Sequence, residues 1–219
     1  MKGKPMEREQ TADPRDALAQ ALRDAAAALA AREISQSAAM QALGHFASLR
    51  AALEAPPRPR WYDRDGASPC SKHAQIAYAE QSPLRGTRNA LAPPLAIQRI
   101  ESEDGPRLIG RVTMGRSYEG PPHGVHGGFV AALFDEMLGG AQGLAPPAGV
   151  TALLEVRYRQ VTPIETPLVF EAWIADSSER RVTTSATCHA GETLTADAKG
   201  TFIRVDFEQV EQRMGAGRD

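Results

Sequence analysis

The sequence predicts an α+β fold in which an antiparallel β-sheet wraps around one central buried helix, with an N-terminal helical extension. Three observations support this prediction. Residues 126–143 are nearly all apolar and repeat at helical spacing, four strand-like runs follow with short polar turns between them, and two helical patterns precede them. An almost entirely apolar helix has to be buried. Consecutive strands joined by short turns are antiparallel neighbours, so the four runs predict one sheet around that helix.

Two helices are predicted in residues 1–55, which we interpret as an N-terminal helical hairpin. Asp13 is placed to cap the first helix, and Pro14 suits its first position. The second helix begins near Ser35 or Ser37 and ends before a cluster of prolines. Its apolar stripe, for which we expect a role as a lid or a dimer contact, consists of Met40, Leu43, Phe46, Leu49 and Leu53.

The rest of the chain divides into three parts. Residues 56–105 are rich in Pro, Gly and Arg without a sustained period, which predicts a loop-rich segment with an ordered loop at 82–94 and a short strand at 95–100. Residues 106–207 are the predicted sheet-and-helix domain, and residues 208–219 are a tail. Inside the domain, predicted strands begin at 107 and then cover 151–161, 167–175, 181–190 and 193–206.

The composition argues against several classes of protein. The chain has 25 Lys and Arg against 27 Asp and Glu, so no overall field favours nucleic acid. Its polar start and its charged, alanine-rich first helix lack the apolar core of a signal peptide and the roughly 20 apolar residues of a membrane span. Cys70 and Cys188 stand far apart and form no disulfide framework. We therefore expect a soluble cytoplasmic protein.

The turn before the buried helix is the first candidate functional feature. His126, Gly127 and Gly128 lie where a helix begins, and the backbone N–H groups there have no partner within the helix. Two glycines let a ligand approach that backbone closely, and the helix dipole favours a negative oxygen. The alternative is that the glycines only permit a tight turn and close packing.

Asp135 is the second candidate, because a carboxylate inside an apolar helix must be paired, exposed or functional. Adjacent Glu136 points about 100° away, and we assign the solvent edge of the helix to Glu136. Small or polar side chains surround Asp135 at helical spacing and leave room for another element. These are Gly128, Ala131, Ala132, Gly139 and Gln142.

The spacing of the two features constrains any shared chemistry. Eight residues separate Gly127 from Asp135, which places them roughly 12 Å apart along a helix. An oxyanion donor and a group that attacks or activates water must each lie within about 3 Å of the reacting atoms. A catalytic interpretation therefore predicts an obligate dimer in which the acid and the turn come from different subunits.

The segments GPPHGVHGGFVAALFDEMLG and TALLEVRYRQVTPIETPLVFEAWI resemble the hotdog-fold acyl-CoA thioesterases. They are similar to the phenylacetate-degradation type and to the thioesterase-superfamily-member hydrolases. In those enzymes an Asp follows the His of HGG by nine positions, as Asp135 follows His126, and a catalytic Thr comes sixteen residues later, where Thr151 stands. The resemblance covers about 100 of the 219 residues, with a weaker similarity at 82–94.

The resemblance implies a hotdog fold and hydrolysis of acyl-CoA to a free acid and CoA. Asp135 would act as general base or as nucleophile, and the Gly127 N–H would stabilise the oxyanion. His126 would contribute its backbone and turn-stabilising hydrogen bonds, and Thr151 would orient the carboxylate or water. No cofactor and no metal ion is required, and the expected assembly is a homodimer or a dimer of dimers.

Further residues are candidates for substrate binding. Gly128 belongs to the oxyanion turn, and Asn89 lies in the 82–94 loop. Arg157 and Arg159 alternate on one strand face and are candidates for binding the CoA phosphates. Such arginines are also typical of a solvated strand face.

Two other functions fit the same fold. A non-catalytic acyl-CoA-binding protein would keep the dimeric hotdog without turnover. An enoyl-CoA hydratase uses an Asp and a His together, but here no second His lies one turn from Asp135. A thiol-release assay on an acyl-CoA panel separates a hydrolase from a binding protein.

Overall fold

The computed structural model describes residues 13–57, 72–145 and 149–205. Cys70, the predicted tail 208–219 and residues 1–12 lie outside the described residues. Three helices precede the sheet, α1 (Pro14–Ala31), α2 (Gln36–Ala52) and α3 (Lys72–Gln81). Among the helices in the described ranges, none has the length and apolar character that crossing a membrane requires.

The first two helices confirm the sequence prediction, including their caps. The Asp13 side chain accepts a hydrogen bond from the Arg15 N–H, and the Ser35 side chain accepts one from the Ala38 N–H. Within the segment 56–105, which the sequence predicted to be loop-rich, α3 occupies residues 72–81 and was not predicted. Its sequence, KHAQIAYAEQ, lacks the apolar stripe by which an amphipathic helix is found.

In the described ranges, six antiparallel strands form one sheet. They are β1 (Ala96–Ser102), β2 (Gly105–Thr113), β3 (Gly149–Tyr158), β4 (Pro167–Ser177), β5 (Arg181–Ala190) and β6 (Thr193–Arg204). Their spatial order is β1-β2-β4-β5-β6-β3, so β1 and β3 are the edge strands. This arrangement around a helix is the predicted hotdog fold.

One predicted strand pairing was wrong. The short connection after β3 suggested that β3 and β4 are neighbours, but β3 pairs with β6, and β4 lies between β2 and β5. Residues 159–166 instead cross the open end of the sheet, where the Val125 N–H donates to the Thr162 carbonyl at 2.8 Å. Loop length alone does not reveal this crossing, because a curled sheet brings distant strands close at its ends.

The central helix α4 (Gly127–Gln142) packs inside the curled sheet. The Phe134 ring meets the Phe170 ring of β4 edge-to-face, with centroids 5.1 Å apart. A Cβ at Gly110 of β2 would lie 2.5 Å from the Met137 sulfur, so the glycine permits close helix–sheet contact. All six apolar residues predicted to face the core are buried, namely Val130, Leu133, Phe134, Met137, Leu138 and Ala141.

Candidate active site

The turn before α4 is fixed by its own backbone. The His126 N–H donates to the Tyr118 carbonyl at 2.8 Å, and the Gly120 N–H donates to the Gly124 carbonyl at 2.9 Å. His123 has a φ of 60°, in the left-handed region, and its N–H donates to the Glu119 carboxylate at 2.7 Å. The chain therefore enters the helix along a single defined path.

One backbone amide of this turn is left open. The Gly128 N–H donates to His126 Nδ1 at 3.0 Å, while the N–H groups of Phe129 and Val130 donate to the His126 carbonyl. Within the part of the chain that the structure describes, the Gly127 N–H has no acceptor. The predicted three-residue donor set is thus reduced to one amide, because the N–H groups of His126 and Gly128 are used inside the turn.

Tyr158 of β3 holds the carbonyl side of the same peptide segment. Its hydroxyl donates to the Gly127 carbonyl at 2.8 Å, and its ring lies 3.4 Å from the place where a Cβ on Gly127 would stand. In the sequence, Tyr158 stands near the end of a predicted strand and belongs to no candidate motif. Nothing in its local pattern points to the turn, since the contact joins residues that are 31 apart in the chain.

Asp135 lies half-buried near the middle of α4 and faces β3. Thr151 Oγ1 donates to Asp135 Oδ1 at 3.1 Å, so the structure brings together the two residues that the resemblance paired. No Lys, Arg or His among the described residues forms an ion pair with this carboxylate. Asp135 therefore keeps acceptor positions that the chain itself leaves open.

A β-bulge aims Thr151 at the helix. In the ladder with β6, Thr151 pairs with Phe202 and Leu153 pairs with Thr201, so Ala152 is the extra residue. Directly paired residues share a face of the sheet, and the Phe202 side chain is buried in the core. The bulge therefore places Thr151 on the helix side, where strict alternation with Leu153 would have turned it outward.

Glu136 was wrongly assigned to the solvent edge. Its side chain is only 8% exposed and lies beneath the segment before β1. Tyr78 and Ser82 donate hydroxyl hydrogen bonds to Glu136 Oε2 at 3.1 and 3.3 Å, and Arg85 Nε stands 3.0 Å from Oε1 as an ion pair without hydrogen-bond alignment. Burial, and then the Glu136 charge, raises the pKa of Tyr78, so its hydroxyl stays a donor.

Two polar residues of the 82–94 loop form hydrogen bonds and ion pairs with the chain around them. The Asn89 amide donates to the Gln81 carbonyl at 3.0 Å and accepts from the Leu91 N–H at 2.9 Å, so its side chain shapes the 82–94 loop. Arg88 is surrounded by three carboxylates and joins the loop to α1 and α3. These carboxylates belong to Asp13, Asp16 and Glu80.

The two candidate arginines of β3 differ in their contacts. Arg159 forms an ion pair with Asp197 of β6, which raises the pKa of the Arg159 guanidinium mainly through that hydrogen bond. Arg157 is exposed and has no ion-pair partner among the described residues. Of the two, only Arg157 offers a free cation on the strand.

A cavity of about 760 Å³ opens beside the turn. It lies between α1, the 82–94 loop and the first turns of α4. Most of the side chains around it are small or apolar. The residues that surround it nearest the helix are Tyr118, His126, Gly128, Phe129 and Ala132.

The Gly127 amide and the Asp135 carboxylate lie on one continuous helix, Gly127–Gln142. Within one chain they are therefore roughly 12 Å apart, the separation that the sequence predicts. Beside them, edge strand β3 exposes large side chains, with Leu153 at 52% and Tyr158 at 53%. The strand thus presents an apolar edge next to Asp135 and Thr151.

Part of the chain is similar in sequence to a curated thioesterase. The human acyl-coenzyme A thioesterase THEM5 is 28% identical over 97 residues, which are 43% of this chain and 39% of that protein. The match therefore spans well under half the length of this relative. No protein-family model matches the chain.

Solved structures give a longer match. A crystal structure described as a thioesterase superfamily protein is 28% identical with a TM-score of 0.72, covering 87% of this chain and 95% of that chain. A phenylacetic acid degradation-related protein from Ralstonia eutropha JMP134 is 16% identical with a TM-score of 0.46, covering 50% and 84%. The first of these two structures and THEM5 confirm the resemblance to thioesterases, and that first structure confirms the fold. This match covers 87% of the chain, whereas residues 106–207 are under half of its 219 residues. The match therefore also includes part of the chain before residue 106.

Proposed function

We propose that this protein is an acyl-CoA thioesterase that hydrolyses the thioester to a free acid and CoA, with Asp135 as its catalytic carboxylate. The observation that carries the proposal is the Thr151–Asp135 hydrogen bond, 3.1 Å long, on an otherwise unpaired carboxylate of the central helix. The similarity to THEM5, an acyl-coenzyme A thioesterase, supports the substrate class.

Asp135 acts on water as general base, or attacks the thioester carbon itself to give a mixed anhydride that water then cleaves. Thr151 donates to one carboxylate oxygen, Oδ1, and the other oxygen, Oδ2, is the one that acts on the water or the thioester. CoA leaves as a thiolate. Because a thiolate is a good leaving group, the step needs no strong general acid.

The Gly127 N–H stabilises the negative charge that develops on the carbonyl oxygen. It is the amide of the turn with no acceptor inside the described chain, and it stands at the positive end of α4. His126 fixes the turn through its ring nitrogen, and Tyr158 holds the Gly127 carbonyl. Gly128, without a side chain, leaves the approach to this amide open.

The site is completed by two subunits. An amide and a carboxylate about 12 Å apart do not reach the same thioester carbon, so the Gly127 amide of one subunit works with the carboxylate of another. The exposed apolar edge of β3, next to Asp135, is the surface that meets the second copy. The assembly is thus a homodimer, which a dimer of dimers would also contain.

Two further assignments concern the site for the CoA phosphates and the cellular compartment. Arg157 is the free cation of the strand and takes a CoA phosphate, whereas Arg159 and Asn89 act structurally. The proposed compartment is the cytoplasm, because a reducing compartment suits the free thiol of Cys188.

The test is to assay wild type and Asp135→Asn for thiol release from short, medium, long and aromatic acyl-CoAs. Asparagine keeps the shape and removes the charge, so we expect a loss of at least about a hundredfold in kcat, the scale of a general base. Sizing and thermal melting serve as controls that both proteins have the same assembly and fold. Retained activity in the mutant would refute the carboxylate's role, and binding of acyl-CoA without turnover by wild type would establish the non-catalytic alternative.

A further inference from the structure

We propose that helix α1 of the N-terminal extension forms the far wall of the acyl-binding pocket and sets the length of acyl chain that the enzyme accepts. This inference rests on the proposed thioesterase function and adds to it the substrate class. That class is straight-chain alkyl acyl groups longer than acetyl.

The cavity of about 760 Å³ links the turn to α1. At one side it is lined by His126 and Gly128, which flank the amide assigned to the oxyanion. At the other side it is lined by Ala26 and Ala27 of α1. A carbonyl oxygen bound at the Gly127 N–H therefore directs the attached chain into this space.

The chemistry of the walls selects an alkyl chain. The lining is mainly apolar and includes Leu84, Leu91, Phe129, Pro93 and Pro94, and its polar side chains include Gln20, Arg23, Thr113 and Ser117. The volume is within the range of roughly 300–1,000 Å³ that is usual for pockets of small ligands. A chain of methylene groups matches the apolar part of this surface.

Helix α1 is fastened firmly enough to act as a wall. Arg23 Nη1 donates to the Asn89 carbonyl at 2.9 Å and also contacts the Thr87 carbonyl at 3.3 Å. The Thr87 hydroxyl donates to the Asp16 carboxylate at 2.9 Å. Arg88 reaches from the loop to both Asp13 and Asp16 at the start of the helix. These contacts tie α1 to the loop that forms the neighbouring wall.

The face of α1 toward the cavity carries two long polar side chains, Gln20 and Arg23, and two small ones, Ala26 and Ala27. Gln20, Arg23 and Ala27 line the cavity at helical spacing, whereas Ala25 is exposed on the opposite side of the helix. At position 27 the cavity is lined by the methyl group of Ala27. A longer side chain there would take up space in the pocket without touching Gly127, Asp135 or Thr151.

The experiment compares Ala27→Leu with Ala25→Leu, which adds the same side chain to the same helix but on the solvent side. For wild type, kcat/KM rises roughly fourfold for each added methylene between butanoyl- and octanoyl-CoA, from the burial of one CH₂ each. We expect Ala27→Leu to lower kcat/KM for dodecanoyl-CoA at least about tenfold relative to butanoyl-CoA. Ala25→Leu should keep the wild-type profile.

A binding measurement tests the α1 wall separately from catalysis. The probes are the non-hydrolysable butyl- and dodecyl-CoA thioethers, titrated calorimetrically into the full chain of each variant. The proposal requires wild type and Ala25→Leu to prefer the dodecyl compound and Ala27→Leu to lose that preference. An unchanged preference in Ala27→Leu would overturn the α1 wall even if wild type hydrolyses acyl-CoA. Absence of hydrolysis with the expected binding shift would instead refute the proposed function alone.

Discussion

The two faces of α4 carry neighbouring carboxylates in opposite surroundings. On the face toward β3, Asp135 is half-buried and receives one hydrogen bond, from Thr151. On the face toward the segment before β1, Glu136 is almost fully buried and meets two hydroxyls and a guanidinium. Both residues are acids on an apolar helix, one position apart.

The difference is the reason why the proposed reaction is assigned to Asp135 and a structural role to Glu136. Glu136 has its charge compensated by Arg85 and its oxygens occupied, so it contributes to holding the N-terminal segment against the core. Asp135 lacks a cation partner among the described residues and retains unused acceptor capacity. Removal of Glu136 should therefore affect stability, and removal of Asp135 should affect chemistry.

The largest change in stability is expected from Glu136→Ala. It leaves the Arg85 guanidinium and the hydroxyls of Tyr78 and Ser82 without their shared acceptor. Loss of one member of a buried pair costs about 3–5 kcal/mol, and because Arg85 is 26% exposed we expect about 2–4 kcal/mol. At roughly 2–4 °C per kcal/mol, the Tm should fall by on the order of 8 °C in differential scanning calorimetry.

Asp135→Asn is the matched control for that experiment. It changes the adjacent acid by replacing one carboxylate oxygen with an NH₂ group. Its Tm should stay near that of wild type. A Tm loss as large in Asp135→Asn as in Glu136→Ala would mean that the two faces are not functionally distinct.

A smaller effect is expected from Thr151→Val, which keeps the β-branched shape but removes the donor to Asp135. A hydrogen bond to a charged group contributes about 1.5–3 kcal/mol, and Thr151 is exposed, so we expect kcat to fall roughly tenfold. Thr151→Ser retains the hydroxyl and should recover most of the rate. Equal activity of the Val and Ser variants would show that Thr151 is an ordinary strand residue.

The sequence predicted part of this candidate site. The pairing of Asp135 with Thr151 was implied by the resemblance to thioesterases, and the burial of α4 followed from its apolar pattern, because both signals are local or periodic. Strict alternation does not predict the bulge at Ala152, whereas the motif behind the resemblance placed Thr151 beside Asp135 without it.

What the sequence did not reveal depends on contacts between distant segments. Glu136 is enclosed by residues 51 to 58 positions earlier. Tyr78 lies on α3, which has no amphipathic pattern of its own, and Ser82 and Arg85 lie in the loop after it. The pairing of β3 with β6 arises from the closure of the sheet around α4, and the contact between Tyr158 and Gly127 follows from it. In each case two locally unremarkable segments meet only after the fold has formed.

In the proposed site, Asp135 and the Gly127 amide act together from different subunits. Gly127→Pro removes the amide hydrogen at the first helical position, where proline is favoured. His126 already has a ψ of 130°, as a residue before proline requires. We expect kcat to fall about 10²–10³-fold, while Gly127→Ala, which keeps the N–H, should lose less.

The most direct measurement mixes the two inactive proteins. Asp135→Asn and Gly127→Pro, carrying different affinity tags, are co-refolded in equal amounts, and the doubly tagged dimers are verified before thiol release is assayed. Random pairing makes half of the dimers mixed, and each mixed dimer has one intact composite site, so activity should return to about a quarter of the wild-type value. Mixed dimers with no more activity than either parent would contradict the two-subunit site.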